Sequence, residues 1–345
     1  MTRILIAGAH GFLGRYLCQK ALSQGLEVIA LSGQPQFAPD DPRIVHLPVR
    51  LENPDALDDD RLIELCSGVE YMINAAGPGD PELPRSTLIH LHSFRTTQLL
   101  AVALQIPSMK QFVQVSSTAI AGDYAGMFTE SMQDEGQNFA SGIGEAFLAG
   151  EQCVAGTKAS FSRAICRFGM LVGDSVSGYY PRLSGVYRVL ETAHHLSRWR
   201  FLLSRLGILF LPFAERARCH LVPVDLAADA ALHVATRSQH DRSLKTYHVI
   251  GANRGVSMRR LLDACLKDAG LDIELVAIEQ LRFSKALFNR IGLDTSLIEG
   301  LTTQATWTNE GFATLMPHFS IPALSELSPV LLNYAHAHLL GAQRS

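Results

Sequence analysis

Residues 3–7, RILIA, run directly into glycines at positions 8, 11 and 14, spaced G-x-x-G-x-x-G, and the chain continues as YLCQKALSQG with apolar residues at helical spacing. No other stretch restricts the fold so strongly. The aliphatic run is a buried strand, the glycines form a sharp turn, and a helix begins where the turn ends. Glycines let the backbone come close to a pyrophosphate, and the unpaired N–H groups of the helix N-terminus face its charge. Position, spacing and flanks favour a bound nucleotide over a glycine turn that holds nothing, with Gly8, His10, Gly11, Phe12, Leu13 and Gly14 around the phosphates.

Strand and helix signals then alternate. EVIAL (27–31), RIVHL (43–47), EYMINAAG (70–77), QFVQVSS (111–117) and SFSRAICRFG (160–169) read as strands, and 54–66, 86–104 and 139–156 as helices. TYHVIG (246–251) and IELVAI (273–278) read as later strands, with a helix at 256–270 between them. The remainder reads as helix and loop. The fold class is α/β, a doubly wound parallel sheet with a smaller C-terminal lobe. The expected division is 1–174, completed by about 217–250, for the sheet domain, and 175–216 with 251–345 for a substrate lobe. Ligands of such sheets bind at the C-terminal strand edge, where Gly8, Ala75, Ala76, Gly77, Ser116 and Ser117 all fall.

Composition narrows the partners. A 345-residue chain that is 47% hydrophobic has ample material for one large or two modest cores. A net charge of −3 gives no general attraction to nucleic acid. The six cysteines are scattered, with no C-x-x-C pair and no metal-ligand spacing, which predicts reduced thiols and no metal. The start MTRILIAGAHG reads as strand and loop rather than a leader, and FLLSRLGILFLPF (201–213) is too short, and interrupted by Arg205, to span a bilayer. A cytoplasmic protein is expected, with a small-molecule substrate and an open oligomeric state. Core packing is the default for the apolar stretch, and a membrane-surface contact through 194–213 is a lesser alternative.

In their order along about two-thirds of the chain, GFLGRYL (11–17), NAAG (74–77), FVQVSS (112–117), RFGMLVGDSVSG (167–178), HLVPVD (220–225) and TYHVIG resemble the extended short-chain dehydrogenase/reductase family, an NAD(P)-binding Rossmann family, and within it the thioester-reductase and fatty-acyl-reductase branch. The resemblance implies a serine after the fifth strand that orients a carbonyl, a tyrosine that protonates it, and a lysine that lowers the tyrosine's pKa and holds the nicotinamide ribose. Ser117 takes the serine position. IGEAFLAGEQ (143–152) overlays the usual Y-G-x-S-K-L-A-G-E-Q, with Glu151 fixing the register. Tyrosine thereby becomes Ile143 and lysine becomes Phe147. The literal Y-x-x-x-K of this chain, Tyr16–Lys20, lies on the first helix, where it is expected to face away from a substrate.

Other departures concern the cofactor. The second strand ends Leu31-Ser32-Gly33, without the acid that would bind a ribose diol. Arg50 stands where many relatives carry an acid near the adenine, and His92 replaces an asparagine of the long fourth helix. Arg15 and Arg50, with Ser32, suit a 2′-phosphate, so NADP(H) is preferred over NAD(H). Ile and Phe neither give nor take a proton, and a positioned general acid is worth about 10²–10⁴ in rate. Three readings remain open: an oxidoreductase acting on an imine or carbonyl with another donor, such as Tyr124; a redox-neutral lyase, cyclase or isomerase; and a non-catalytic nucleotide-binding partner or sensor. The oxidoreductase of a small hydrophobic metabolite, in a biosynthetic role, is preferred. Glu145 is expected to face solvent, Glu151 to be structural, His10 to fill space near the pyrophosphate, and Asp225 to cap a helix.

Overall fold

Short aliphatic runs with two buried faces make strands, and the amphipathic segments between them make helices that cover those faces. The computed structural model describes residues 2–33, 41–53, 60–211, 213–237, 241–251, 255–278 and 303–340. In chain order the sheet domain begins β1 (Arg3–Ala7), α1 (Phe12–Ser23), β2 (Glu27–Leu31), β3 (Ile44–Leu47), α2 (Asp60–Leu65), β4 (Val69–Asn74), α3 (Arg85–Leu104) and β5 (Gln111–Ser117). The chain continues through β6 (Ala125–Phe128), α4 (Gly142–Gly156), β7 (Ser162–Phe168), β8 (Met170–Val172), α5 (Val186–Leu196), α6 (Arg200–Leu206) and β9 (Ile208–Leu211). Then follow β10 (Arg218–Cys219), β11 (Leu221–Pro223), α7 (Val224–Arg237), β12 (Leu244–Val249), β13 (Val256–Ser257), α8 (Met258–Asp268) and β14 (Glu274–Ala277). The last elements are β15 (Gln304–Trp307), α9 (Glu310–Leu315) and α10 (Leu324–Tyr334).

Seven strands form one sheet in the order β12-β7-β5-β4-β1-β2-β3, and every pairing in it is parallel. Alternate residues serve alternate faces. Ile4 and Ile6 pack with Leu13 and Leu17 of α1 and the alanines of α7. Leu5 and Ala7 pack with Leu62 of α2 and Leu99 and Leu100 of α3. Ala227, Ala228, Ala230 and Ala231 of α7 are all wholly buried, so the helix axis lies close to the sheet. A further core, holding Tyr187, Leu190, Phe213, Leu261, Leu275 and Leu331, draws on α5, α8 and α10.

Several expectations need adjusting. The first part of the helix expected at 54–66 lies outside the described residues, and α2 covers 60–65. Asp225 is not the cap of α7 but sits in its first turn, and its carboxylate accepts from Ser175 N and Oγ at 2.9 and 2.6 Å. It ties the turn after β8 to α7 instead. Glu145 does not simply face solvent but pairs with Arg85. Residues 304–307, expected as helix or loop, form β15 and pair in parallel with β6. A four-residue strand depends on its partner for existence, and that partner lies far away in sequence. Core packing holds for α5 and for Leu203 and Leu209, but fails for Trp199, Phe201, Leu202, Leu206, Ile208 and Phe210, which are exposed.

Candidate nucleotide site and active site

The strand order reverses between β1 and β4, and ligand crevices of open α/β sheets lie at this switch point. Gly8 follows β1 with φ +75°, and a Cβ there would lie 2.7 Å from Ala76 N and 2.8 Å from Ala75 O. A Cβ on Gly14 would come within 2.1 Å of the Gly8 carbonyl oxygen. No other residue fits either position without moving backbone. Gly11 precedes α1 as its N-cap without a side-chain bond, so the first-turn N–H groups of Phe12, Leu13 and Gly14 have no partner within the helix. The Leu13 side chain is buried in the core, and Phe12 packs edge-on against Tyr180 at 4.8 Å. Both residues therefore offer backbone, not side chain, to a ligand. Across the crevice, Asn74 Oδ1 accepts from Ala76 N at 3.1 Å and shapes the Ala75–Gly77 turn. A cradle this narrow, floored by glycine and rimmed by open N–H groups, fits a dinucleotide pyrophosphate.

Within the glycine loop His10 reaches the end of β2, where its Nδ1 shares a 2.7 Å hydrogen bond with Ser32 Oγ. Arg15 Nε donates to the His10 carbonyl at 3.1 Å. Burial, then the neighbouring Arg15, lower the His10 pKa. The Arg50 stem lies over Gly33, where a Cβ would be 3.2 Å from Arg50 Cγ. Among the described residues, two guanidinium groups and no acid at the β2 end suit an anion better than a diol.

The opposite end of the crevice is apolar. Ser117 ends β5, and its Oγ accepts from Ala119 N at 3.1 Å, capping a short turn while leaving its own hydrogen to give. Tyr124 packs edge-on against Phe128 at 5.4 Å. Ile143 and Phe147 lie in the first two turns of α4, whose cap is Ser141. Phe147 meets His92 edge-on, with ring centroids 5.3 Å apart. Gly150 is required there, because a Cβ would sit 2.8 Å from both His92 Cδ2 and Nε2. His92 is wholly buried and neither ring nitrogen has a well-formed hydrogen bond. Burial and the nearby Arg95 push its pKa down to about 4, and the Gly77 carbonyl offsets only part of this. The α3–α4 seam is thus closed by His92, Phe147 and Gly150.

Beneath the site runs a buried polar chain that sequence reasoning found only in part. Glu151 is wholly buried. It receives Arg167 Nε at 2.9 Å and Nη2 at 2.7 Å, and Ser116 Oγ at 2.6 Å. Arg167 Nη1 contacts His248 Nε2 at 3.1 Å, and His248 Nδ1 contacts the Thr308 carbonyl at 2.5 Å. The carbonyl can only accept, so Nδ1 carries the proton and Nε2 accepts from the guanidinium. Desolvation, then Arg167, hold the His248 pKa down at about 3. Ser116, Arg167 and His248 are consecutive partners across β5, β7 and β12. The sequence signal was an arginine and a histidine inside otherwise apolar strands. Tyr16 and Lys20 do not form a catalytic pair: Lys20 donates to Asp229 at 2.7 Å, and burial with Asp174 raises the Tyr16 pKa. The structure also brings together His194, Asp268 and His336, which no sequence spacing could show.

Comparisons agree with this geometry. The terminal R domain of the myxalamid PKS-NRPS biosynthetic pathway superposes with a TM-score of 0.75 at 16% identity, over 99% of this chain and 92% of that one. MoeE5, solved with UDP-glucuronic acid and NAD, gives 0.68 at 16% identity, over 98% of this chain and 100% of its own. UDP-glucuronic acid 4-epimerase from Bacillus cereus, also with UDP-glucuronic acid and NAD, gives 0.68 at 15%, over 97% and 99%. No curated protein matches the sequence. Residues 4–185 match the NAD dependent epimerase/dehydratase family. With a seven-stranded parallel Rossmann sheet and a glycine cradle at its switch point, the chain belongs to that family of extended short-chain dehydrogenases/reductases.

Proposed function

We propose that this chain is an NADP(H)-dependent oxidoreductase that acts on a small hydrophobic imine or carbonyl compound without a tyrosine–lysine acid–base pair. One observation carries the reading. The nucleotide cradle is intact, while Ile143 and Phe147 fill the positions that the resemblance gives to tyrosine and lysine, and Phe147 is packed against His92. When bound, the nicotinamide supplies or accepts a hydride. The protein's part is to hold, orient and exclude water. Gly8, Gly11, Gly14 and the N–H groups of Phe12, Leu13 and Gly14 would hold the pyrophosphate, together with Ala75, Ala76 and Gly77. Arg15 and Arg50, with Ser32 and His10, hold the 2′-phosphate. With a carbonyl substrate, Ser117 would give its hydrogen to the oxygen.

A positioned acid is worth about 10²–10⁴ in rate, so an ordinary ketone is a poor substrate here. A cationic C=N group needs no proton as it gains electrons, and Ile143 and Phe147 give it a dry wall. For a carbonyl, Ser117 and Tyr124 are the donors to test. The hydrophobic part of the substrate is assigned to a lobe built from 175–216 and 251–345.

The test is titration with NADPH and NADH, followed by deuteride tracing from labelled NADPH into imine and carbonyl panels. Tighter NADPH binding and label in a reduced imine are expected. Failure to bind either nucleotide overturns the reading. Binding without transfer to any acceptor replaces it with the redox-neutral or non-catalytic alternative.

A further inference from the structure

The segment between Glu191 and Glu215 contains no acidic residue, although acids outnumber lysine and arginine in the whole chain by 33 to 30. It carries His194, His195, Arg198, Arg200 and Arg205. The structure folds its second half as a short helix, α6, and a strand, β9, joined at Gly207. Gly207 adopts the left-handed conformation with φ 69°, and its N–H donates to the Leu203 carbonyl at 2.9 Å. The pair is anchored from inside. Leu203, Leu209 and Leu211 pack against the lobe core, and β9 pairs with β14.

The outer side has no such purpose. Trp199 is 65% exposed, Phe201 76%, Leu206 63% and Phe210 59%, with Leu202 and Ile208 beside them. β9 alternates so that Ile208 and Phe210 both face out while their neighbours face in. A strand or helix with one buried face ordinarily makes the other face polar. Here the solvent face is as apolar as the packed one. Soluble surfaces rarely gather large side chains so densely without a partner.

We propose that this face docks on an anionic lipid surface, lying on it rather than crossing it. The charge pattern selects that occupant. Arg198, Arg200 and Arg205 are exposed around the apolar residues, and Arg205 sits over the Phe201 ring at 5.6 Å. Strand pairing sets Glu274 beside Ile208, and three exposed arginines outnumber it. Exposed tryptophan and phenylalanine, with exposed arginines in the same segment, match an interface with acyl chains below and phosphate above. A protein partner would need acidic groups spaced to match, whereas a lipid surface presents them everywhere. Among the described residues no helix is long and apolar enough to cross a membrane, consistent with contact from one side. The surface does not depend on the reaction proposed above.

The chain carries its own probe. Its two tryptophans are Trp199 and Trp307, and Trp307 is packed against Phe128 and His248 at 5.0 and 4.7 Å. Vesicles of phosphatidylcholine and phosphatidylglycerol in equal parts should shift the emission to the blue. The Trp199→Phe variant should lose that shift. Co-sedimentation should favour these vesicles over pure phosphatidylcholine and weaken with salt. Each arginine near an anionic surface is worth about 5-fold, so replacing all three by Gln should weaken binding roughly 100-fold. Phe201→Ser with Phe210→Ser should also release the protein. Unchanged melting temperature and nucleotide affinity in both variants would show that the fold is intact. Failure of the full-length protein to bind anionic vesicles, or binding that ignores these substitutions, overturns the proposal. So does a dimer in solution that Phe201→Ser converts to monomer, since a second copy would then be the occupant.

Discussion

Replacing Arg167 by Met should be among the most damaging single changes in the sheet domain. The guanidinium is 1% exposed and faces a carboxylate that is 0% exposed. Its removal leaves Glu151 with Ser116 Oγ at 2.6 Å and Gln133 Nε2 at 3.4 Å, two neutral donors for a buried charge. Breaking a buried pair on one side costs about 3–5 kcal/mol. His248 Nε2 also loses its donor, worth about 1 kcal/mol. At about 2 °C per kcal/mol for a chain of this size, the melting temperature should fall by about 8–12 °C. Adding Glu151→Gln removes the stranded charge and keeps the Ser116 contact, so the double variant should recover more than about half of the loss. Urea unfolding followed by circular dichroism, together with thermal melts, measures all four corners of the cycle. A single-variant cost below about 1 kcal/mol would refute the reasoning. So would a double variant no more stable than Arg167→Met alone.

Gly14→Ala should weaken nucleotide binding by about two orders of magnitude, close to 2.7 kcal/mol in a calorimetric titration, because its methyl would displace the Gly8 carbonyl. Arg50→Ala should lower NADPH affinity by about 5- to 30-fold, the loss of one charged contact, and leave NADH affinity within about 2-fold. Stability should fall as pH drops from about 6.5 toward about 4. His92 and His220 have folded pKa values of about 4, and His248 of about 3, all lowered chiefly by burial. In that window the unfolded chain binds protons that the folded one refuses, about 1.4 kcal/mol per pH unit for each histidine. Denaturant melts of His92→Asn across this range should show a slope smaller by about that amount.

Much of this architecture is legible in the sequence because it is local. The aliphatic run, the glycine spacing and the helix after it sit within residues 3–23, and each forces the next through backbone sterics. Strand β5 at 111–117 was fixed to the residue by its apolar run and its serine end. Ile143 and Phe147 were visible as residue types. What they pack against was not, because His92 lies on a different helix and Gly150 matters only where the two helices meet. The contact of His10 with Ser32 was not visible for the same reason, since Ser32 reaches it through the pairing of β1 with β2.

The sequence alone determined that a parallel sheet would carry a glycine cradle at its edge, and that residues 142–156 hold neither tyrosine nor lysine. Tertiary structure decided where charge is neutralised and where apolar surface is left open. The Glu151–Arg167–His248 chain depends on the register of three strands, and β15 depends on a partner from the other half of the chain. The segment around Phe201 and Phe210 has the composition of a core, and composition is the same whether a side chain points inward or outward. Only packing of Leu203, Leu209 and Leu211 beneath it turned the remaining apolar side chains toward solvent.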